Sequence, residues 1–454
     1  MKKLKSSILA LLSCCSILHG QGIEKPHLAG ELFNNKAREQ EFMDWGLGMF
    51  VHWSFDSQLG SVISHHMSYA SEKHIDRVIN ELPKTFNPRQ YDPNEWMELA
   101  KLAGVKYMVF TTKHHSGFCM WDTKTTDFNI MNTPYKKDTV KMFVDACRAH
   151  DIKVGFYFSP EDWIFNHTQD MVARGGKLKQ GHKDKLTKYN YTQLDELFGG
   201  AYGDIDVAFF DGGEKEVLAQ YVHKISPKTI VTRGEIVTPE QKLPAEPIPG
   251  PWETCFTLGT QWHYKPTNED YKTGSRLINM LIETRAKGGN LLINMGPHPN
   301  GQIPIEQEER FRELALWMFV NDESIHNVRA CSYAGAKKGA YYTQSQDGKY
   351  IYAHLVGLVD DKAGANNNNW GRFVRKENIL LEGIEVNENT KVTVLGQDDQ
   401  LDRYSERNQG TLKISCEPSE DGAVLSVARA QRLYNNRRWP NAVVVRLENA
   451  KFKR

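Results

Sequence analysis

Val207-Ala208-Phe209-Phe210-Asp211-Gly212-Gly213 joins an unbroken apolar run to a carboxylate and two glycines. Consecutive apolar residues without polar alternation are typical of a parallel strand that is buried on both faces. Asp211 stands where such a strand would end, and a carboxylate beside a buried strand is costly unless it is paired, protonated or used. This stretch therefore predicts a parallel sheet with chemistry at the carboxyl ends of its strands.

Runs of the same kind recur outward from this stretch and alternate with amphipathic segments. The strand-like runs are 47–52, 106–112, 153–158, 207–210, 229–232, 253–258 and 291–294. The helical patterns are 96–102, 140–150, 193–198, 276–287 and 305–320, and in the second of these Val140, Phe143 and Cys147 form one apolar stripe. Seven strand–helix steps predict a (β/α)8-like barrel with one irregular element.

A doubly wound open sheet is the alternative to the barrel. Polar residues follow nearly every predicted strand, namely His52, His114, Tyr157, Asp211 and Arg233. An open sheet would spread these side chains along an edge, whereas a closed barrel gathers them in one mouth. Because nearly every predicted strand is followed by such a polar residue, the pattern favours the barrel.

The sequence changes character after about residue 335. A hairpin is predicted over 339–356, and short β-like runs follow at 379–381, 390–395, 411–415, 423–427 and 443–447, separated by Gly, Asn and Asp turns. This spacing predicts a C-terminal antiparallel β-sandwich. We expect the barrel to occupy residues 23–330 and the sandwich 331–454, with the boundary between Asn327 and Lys338 and a polar loop at Asn366–Asn369.

Residues 1–22 have the pattern of a bacterial signal peptide. Three lysines precede the apolar stretch 8–12 and small residues follow it. The stretch is too short for a membrane span, which needs ~20 apolar residues. Cleavage after Gly20 would leave Gln21 at the mature terminus, while Leu11-Leu12-Ser13-Cys14 also resembles a lipoprotein box in which Cys14 carries a lipid. The sequence thus predicts export, to the periplasm, the cell surface or the medium.

Composition narrows the function classes. The 454 residues are 40% hydrophobic and 25% charged, as in soluble globular proteins, and the net charge of +1 argues against nucleic acid as a partner. Aromatic residues make up 11% and include 10 Trp, whose flat faces stack on sugar rings. Beyond Cys14 and Cys15, five widely spaced cysteines lack any CxxC pair, so neither a disulfide framework nor a zinc knuckle is expected.

Two carboxylates adjoin predicted strands, since Asp211 ends one run and Glu253 opens another. A retaining glycosidase needs one ionised carboxylate and one protonated acid. Arg233 would keep a carboxylate ionised, and Trp252 would help to raise the pKa of Glu253. The alternatives are that Asp211 caps a turn and that Glu253 is a buried partner of Arg233. His114 and His115 lack metal-ligand spacing, so no metal or other cofactor is expected.

Five segments in order resemble the α-L-fucosidases of glycoside hydrolase family 29. They are Gly48–Ser54, Thr112–Phe118, Phe209–Gly213, Trp252–Cys255 and Lys287–Pro297. The resemblance covers about residues 40–320, and the β-rich tail is similar too.

This resemblance implies a secreted, exo-acting, retaining α-L-fucosidase that acts on the non-reducing ends of glycans. It makes Asp211 the nucleophile and Glu253 the general acid/base. It also implies that His52, His114 and His115 hold sugar hydroxyls, with Arg233 near the acid/base and Tyr157 as the aromatic of the third strand.

The chain departs from the family pattern at positions expected to line the sugar site. Ser64-His65-His66-Met67 replaces a Glu-Trp pair, Ser116 an Asp, Phe209 a Trp, and Trp262-His263-Tyr264 a Trp-Gly-Tyr. The segment 232–241 resembles the branch of the family that acts on 1,3/1,4-linked fucosides.

These departures leave the sugar open. Phe209 suits the C6 methyl of L-fucose, whereas His65 or His66 would hold the extra hydroxyl of L-galactose, as found in red-algal galactans. Trp262 is expected to line the same site. A silent sugar-binding barrel and a metal-dependent hydrolase remain as alternative functions.

Overall fold

The structure, a computed structural model, describes residues 32–168, 180–331, 339–357, 374–397, 414–429 and 441–453. The predicted signal segment with Cys14 and the loop Asn366–Asn369 lie outside these ranges. Within them, no helix combines the length and apolar character needed to cross a membrane.

A curved sheet of seven parallel strands forms the first part of the molecule. The strands are β1 Leu47–Val51, β2 Tyr107–Lys113, β3 Lys153–Phe158, β4 Val207–Phe210, β5 Ile230–Val231, β6 Glu253–Phe256 and β7 Asn290–Met295, in the spatial order β5-β4-β3-β2-β1-β7-β6. All seven predicted runs are confirmed. Their residues are almost entirely buried, as the lack of polar alternation predicted.

The segment after β5 lies beside the other edge strand. Glu253 N donates to Val237 O at 3.1 Å, Cys255 N to Pro239 O at 3.2 Å, and Gln241 N to Cys255 O at 2.9 Å. This irregular pairing joins the two edges of the sheet, so the expected (β/α)8-like architecture is confirmed with its irregular element between β5 and β6.

Nine α-helices accompany the sheet in the described residues. They are α1 Lys36–Trp45, α2 Glu72–Asn80, α3 Pro93–Leu102, α4 Thr139–Ala149, α5 Trp163–Thr168, α6 Gln180–Phe198, α7 Lys215–Ile225, α8 Gly274–Ala286 and α9 Ile305–Asn321. In α4 the Asp138 side chain caps Lys141 N, and the predicted stripe is buried. Helices α1, α2, α5 and α7 were not predicted. Helix α7 follows the glycine pair without a side-chain cap, so its start carries no sequence signal.

Two larger antiparallel sheets, accompanied by a two-stranded sheet, make up the described C-terminal part, as the sandwich prediction requires. The strands are β8 Val328–Ala330, β9 Ala340–Ser345, β10 Tyr350–Leu355, β11 Val374–Glu382, β12 Ile384–Glu385, β13 Lys391–Val394, β14 Ser415–Ser419, β15 Gly422–Arg429, β16 Val443–Glu448 and β17 Lys451–Phe452. One sheet has the order β13-β16-β10-β9-β8 and the other β11-β15-β14, while β12 pairs with β17. Leu425 and Leu381 share a core with Ile351 and Val445, so the two sheets pack face to face.

The register of the parallel strands defines two ends of the barrel. Phe158 pairs with Phe210 at the carboxyl ends, which we call the mouth. Glu253 pairs with Asn290 at the amino ends, which we call the floor. Side chains at the two ends are separated by the length of a strand.

Candidate active site

A cavity of about 260 Å³ opens at the mouth of the barrel. Its wall combines polar groups that follow the strands with apolar side chains from the strands and the first loop. The lining residues are Phe50, His52, Val62, Ile63, His65, His114, His115, Tyr157, Phe209, Asp211, Arg233, Glu240, Cys255 and Trp262. The prediction that one mouth gathers the polar strand-end residues is confirmed for His52, His114, Tyr157, Asp211 and Arg233.

Asp211 follows β4 and points into this cavity. Arg233 Nη1 donates to Asp211 Oδ1 at 2.9 Å, and the Tyr157 hydroxyl donates to Oδ2 at 3.0 Å. Burial acts to raise the pKa of Asp211, but Arg233, His115 and the hydrogen bonds outweigh it, and the pKa is lowered overall. Gly212 has φ +133°, and a Cβ there would meet Glu161 Cγ at 3.2 Å, so glycine lets the chain turn away at once. Asp211 is thus held as an ionised carboxylate that reaches the cavity.

A second carboxylate, Glu240, shares the same guanidinium. Arg233 Nη1 also donates to Glu240 Oε2, at 2.8 Å. Since Asp211 Oδ1 and Glu240 Oε2 lie 2.9 and 2.8 Å from one nitrogen, they are at most about 5.7 Å apart. Carboxyl groups of retaining glycosidases are about 5–5.5 Å apart. The Glu240 side chain is 42% exposed, whereas that of Asp211 is 29% exposed, so Glu240 stands nearer the water that a hydrolase must admit.

The backbone pairing between the segment after β5 and strand β6 fixes the position of Glu240. Glu240 lies opposite Cys255 in this pairing, and Cys255 itself lines the cavity. Arg233 is in turn held by its backbone, whose carbonyl accepts from Phe210 N at 3.0 Å, and by the Phe209 ring 4.8 Å from its Cζ. Backbone contacts with β4 and β6 therefore support Arg233 and Glu240.

Glu253 lies elsewhere. It is fully buried at the floor, where the Tyr107 hydroxyl donates to its Oε2, and it is not part of the cavity wall. Burial raises its pKa to about 7, against the hydrogen bond from Tyr107 and the charge of Arg233. The structure therefore corrects the expectation that Glu253 reaches the mouth. The raised pKa was anticipated, but burial at the floor is its principal cause.

Three of the cavity histidines follow β1 and β2. His52 Nδ1 lies 2.6 Å from Asn294 Oδ1, His114 Nδ1 lies 2.9 Å from Ser64 Oγ, and His115 Nδ1 lies 2.6 Å from Ser159 Oγ. Burial lowers the pKa of His52 to about 3 and that of His114 well below its usual value. Two of these imidazoles are thus neutral near pH 7, which suits them to hydroxyl groups rather than anions.

The loop after β1 places one of its two histidines in the cavity and the other behind it. His65 lines the cavity, with its ring centroid 5.7 Å from that of His115. His66 turns away, with Nδ1 3.0 Å from His74 Nε2 and Nε2 3.3 Å from the buried Asp56. The structure therefore corrects the expectation that His66 lines the sugar site.

Asp56 holds this loop in place. Its carboxylate accepts from Ser64 N at 2.7 Å, and it also lies 3.8 Å from His263 Nε2. Ser64 adopts φ 58°, a left-handed conformation that costs energy in a non-glycine residue. Because His65 follows Ser64 and Trp262 precedes His263, one buried carboxylate supports two neighbouring parts of the cavity wall.

Aromatic rings form the apolar side of the cavity. Trp262 lies against His52, with ring centroids 4.8 Å apart and planes 31° apart, and Phe209 stacks on Tyr157 at 5.8 Å. Phe50 contacts Phe209 at 4.8 Å, and Val62 and Ile63 complete the wall. Phe209 and Trp262 thus both lie in the cavity wall, and their contact with a sugar stays a prediction.

One group of side chains has the composition of a metal site. A donor atom from each of His114, His115 and Asp211 lies within 4.8 Å of the others. Arg233, however, already binds Asp211 at 2.9 Å, so the carboxylate has a cationic partner without a metal.

Sequence reasoning missed Glu240, Phe50, Val62, Ile63 and Cys255 as wall residues. Phe50 and Cys255 lie inside predicted strands and carried no signal beyond core packing. Glu240 belongs to a polar segment without periodicity, where an acidic residue is most often solvated. Its only signal was that it follows the fifth strand, as the other mouth residues follow theirs.

The family model and the relatives that the chain resembles are alpha-L-fucosidases. A family model described as Alpha-L-fucosidase matches residues 29–323. The plasma alpha-L-fucosidase of Rattus norvegicus is 27% identical over 348 residues, which cover 67% of this chain and 74% of that protein. The tissue alpha-L-fucosidase of Homo sapiens is 25% identical over 362 residues, or 74% of this chain and 71% of that protein.

Solved structures share the fold. Alpha-L-fucosidase isoenzyme 1 from Paenibacillus thiaminolyticus superposes with a TM-score of 0.71 at 27% identity, covering 91% of this chain and 99% of that one. A family 29 alpha-L-fucosidase from Bacteroides thetaiotaomicron, trapped as a covalent intermediate with 2-fluoro-fucosyl fluoride, gives 0.73 at 22% identity, covering 93% and 98%.

Proposed function

Because the chain belongs to the α-L-fucosidase family, glycoside hydrolase family 29, and is therefore an enzyme that acts on glycosides, we propose that it is an exo-acting, retaining α-L-fucosidase. In this proposal Asp211 is the nucleophile and Glu240 is the general acid/base. The single observation that carries it is the Arg233 guanidinium, one nitrogen of which binds both carboxylates.

The first step is attack by Asp211 on the anomeric carbon. Tyr157 and Arg233 hold its two oxygens, which fixes the carboxylate in orientation and favours its ionised form. Glu240 donates a proton to the leaving oxygen as the glycosidic bond breaks. A covalent glycosyl ester on Asp211 results.

The second step releases the sugar. Glu240, now ionised, takes a proton from a water molecule that attacks the anomeric carbon, and Asp211 leaves as a carboxylate. The partial exposure of Glu240 suits both the leaving group and this water. Two inversions give a product of retained configuration. The related Bacteroides enzyme, trapped as a covalent intermediate, supports the same course here.

Glu240 and Glu253 are distinguished by paired variants. We expect Glu240→Gln to slow hydrolysis of a natural fucoside by about 10²–10³-fold, but an activated dinitrophenyl fucoside far less, because only the natural leaving group needs a proton. Azide should restore turnover and give the α-configured glycosyl azide. Glu253→Gln, the matched control, should show neither leaving-group dependence nor rescue. The opposite result would return the acid/base role to Glu253 and refute the assignment of Glu240.

An α-L-galactosidase of the same family is the second candidate. The observation that favours it is His65, which brings a polar ring into the cavity beside the apolar Val62 and Ile63. We expect fucose to be preferred, because the Phe50, Phe209 and Trp262 wall suits a methyl group. The check is kcat/KM on matched aryl α-L-fucoside and α-L-galactoside. A tenfold preference for the galactoside, ~1.4 kcal/mol, that disappears in His65→Ala would establish the second candidate.

The natural substrate is proposed to be the terminal sugar of an oligosaccharide or polysaccharide outside the cytoplasm. The basis is the signal-like segment at residues 1–22. Mass spectrometry of the protein from its native host would identify a mature terminus at Gln21 or a lipidated Cys14. An intact Met1 terminus would contradict export by this route.

A further inference from the structure

Hydrogen bonding to a backbone carbonyl fixes the tautomer of His65. Its Nδ1 lies 2.8 Å from the Ile63 carbonyl oxygen. A carbonyl oxygen only accepts hydrogen bonds, so Nδ1 must carry the proton. In an imidazole that carries its single proton on Nδ1, the Nε2 atom has a lone pair and no proton. His65 lines the cavity.

A chain of two hydrogen bonds fixes the tautomer of His52 in the same sense. Asn294 Nδ2 donates to the Trp262 carbonyl at 2.7 Å, which determines the orientation of the Asn294 amide. Its Oδ1 therefore faces His52 Nδ1, 2.6 Å away, and this nitrogen must be the donor. Burial lowers the pKa of His52 to about 3, so the ring is neutral and its Nε2 is an acceptor.

We infer that the cavity recognises its sugar through hydrogen-bond acceptors at His52 and His65, and therefore takes a sugar with free hydroxyl groups at the two ring or C6 positions that these nitrogens contact. The inference rests on the proposed glycosidase function for the ligand. It does not depend on whether Glu240 or Glu253 is the acid.

The chemistry excludes common modified sugars. A methyl ether, an acyl ester or a sulfate ester has no proton to donate, so it would place an oxygen against a lone pair and leave a nitrogen of the cavity wall unpaired. A sulfate would also lack a cationic partner, because Arg233 is bound to Asp211 and Glu240. The enzyme would then act on a glycan only after its terminal sugar has lost sulfate, acyl or methyl groups at those positions.

Inhibition by modified fucosides tests the inference. Methyl α-L-fucoside, and its analogues with one hydroxyl at a time replaced by H, F or O-methyl, would be measured as competitive inhibitors. We expect two positions at which all three replacements weaken binding by about tenfold or more. Fluorine should be no better than hydrogen there, because it cannot donate. Near-normal binding of every fluoro analogue, or of every O-methyl analogue, would overturn the inference.

A variant identifies the contribution of His65. In His65→Ala, the analogues modified at one of the two positions should bind as well as methyl α-L-fucoside binds to the same variant. The analogues modified at the other position should still bind more weakly than methyl α-L-fucoside, as they do in the wild type. Tyr69→Ala is the matched control, since Tyr69 belongs to the same loop but is 96% exposed. An unchanged analogue pattern in His65→Ala would remove His65 from the proposal.

The tautomers can be observed without any substrate. In ¹⁵N-histidine-labelled protein, with signals assigned through His65→Ala and His52→Asn, both rings should show a protonated Nδ1 and an unprotonated Nε2. If methyl α-L-fucoside does not bind, the proposed function fails, and these spectra still decide the inference by themselves. A proton on Nε2 of either ring would contradict it.

Discussion

The mouth and the floor of the barrel each hold a glutamate close to strand β6, and they treat it in opposite ways. At the mouth, Glu240 is partly exposed and shares a guanidinium with Asp211. At the floor, Glu253 is fully buried and bonded to a tyrosine, with its pKa raised to about 7. The mouth has charged groups and an open cavity, whereas the carboxylate at the floor is fully buried.

This difference shows that a perturbed pKa does not by itself mark a catalytic acid. A buried carboxyl group is perturbed wherever it lies, because burial disfavours its charge. A catalytic acid must also reach the substrate, and its geometry decides that before its pKa does. Glu253 opens strand β6 at the floor and is not part of the cavity wall, whereas Glu240 lines the cavity.

Among the variants that test the contrast between mouth and floor, Asp211→Asn should cause the largest loss of activity. We expect kcat/KM on an aryl α-L-fucoside to fall by about 10⁴-fold or more with Tm nearly unchanged, because the side-chain volume is kept. Glu214→Gln, an exposed acid three residues away, is the control and should be near wild type. A glycosyl adduct from a 2-fluoro-fucosyl fluoride, located by peptide mass spectrometry on an acid other than Asp211, would invalidate this assignment.

Arg233→Gln should have the next largest effect, because it removes the charge that joins the two mouth carboxylates. Activity should fall by about 10²-fold. Since Arg233 lowers the pKa of Asp211, its loss should raise that pKa and move the acid limb of the kcat/KM profile to higher pH.

Arg233→Lys is the matched comparison for this prediction. It keeps a positive charge without the fork of the guanidinium, and should restore much of the acid limb but not the full rate. An acid limb that stays in place in Arg233→Gln would show that Arg233 does not control the ionisation of Asp211.

The smallest kinetic effect is expected at the floor. Glu253→Gln should change kcat/KM less than about threefold, yet alter how stability depends on pH. The folded pKa of about 7 lies above the ordinary value of 4.5, so the folded state holds its proton more tightly than the unfolded state. The contribution of Glu253 to wild-type stability should therefore fall as pH rises from 4.5 to 7, by up to about 3 kcal/mol.

Thermal unfolding between pH 4.5 and 7 checks this prediction. The Tm of Glu253→Gln should rise relative to that of the wild type as pH rises, because the variant has no carboxyl group at position 253 to ionise. A constant Tm difference over the whole range would mean that Glu253 does not titrate there, and the contrast between the two ends would lose its electrostatic part.

Much of the fold was predictable because strands that are buried on both faces of a sheet have continuous apolar sequences. All seven strands of the barrel were recognised from continuous apolar runs. Helices α1, α2, α5 and α7 were missed. Helix α7 shows why, since its first turn follows two glycines and lacks a side-chain cap. The sandwich was visible as short runs between turn residues, although 411–413 of one predicted strand lies outside the described residues.

Nine of the fourteen residues that line the cavity were predicted from the sequence. Asp211, His52 and His114 directly follow strands, and parallel strands bring such positions together. Glu253 was expected at the mouth, although it opens strand β6 and so belongs at the floor. A residue that opens a strand lies at the opposite end of a parallel barrel from one that closes a strand. His66 was likewise indistinguishable from its neighbour, because a one-residue step in a loop has no periodicity to assign it a side.

The sequence by itself determined the order of the strands along the chain, the burial of their side chains and the end of the barrel at which Asp211 lies. Each of these follows from local patterns of apolar and polar residues. Only the tertiary structure decided which acid shares Arg233 with Asp211. Glu240 reaches Arg233 because the segment 237–241 pairs irregularly with β6, through three backbone hydrogen bonds between residues 14 to 16 positions apart. Backbone groups are the same in every residue, so no side-chain pattern in that segment records where those bonds will form.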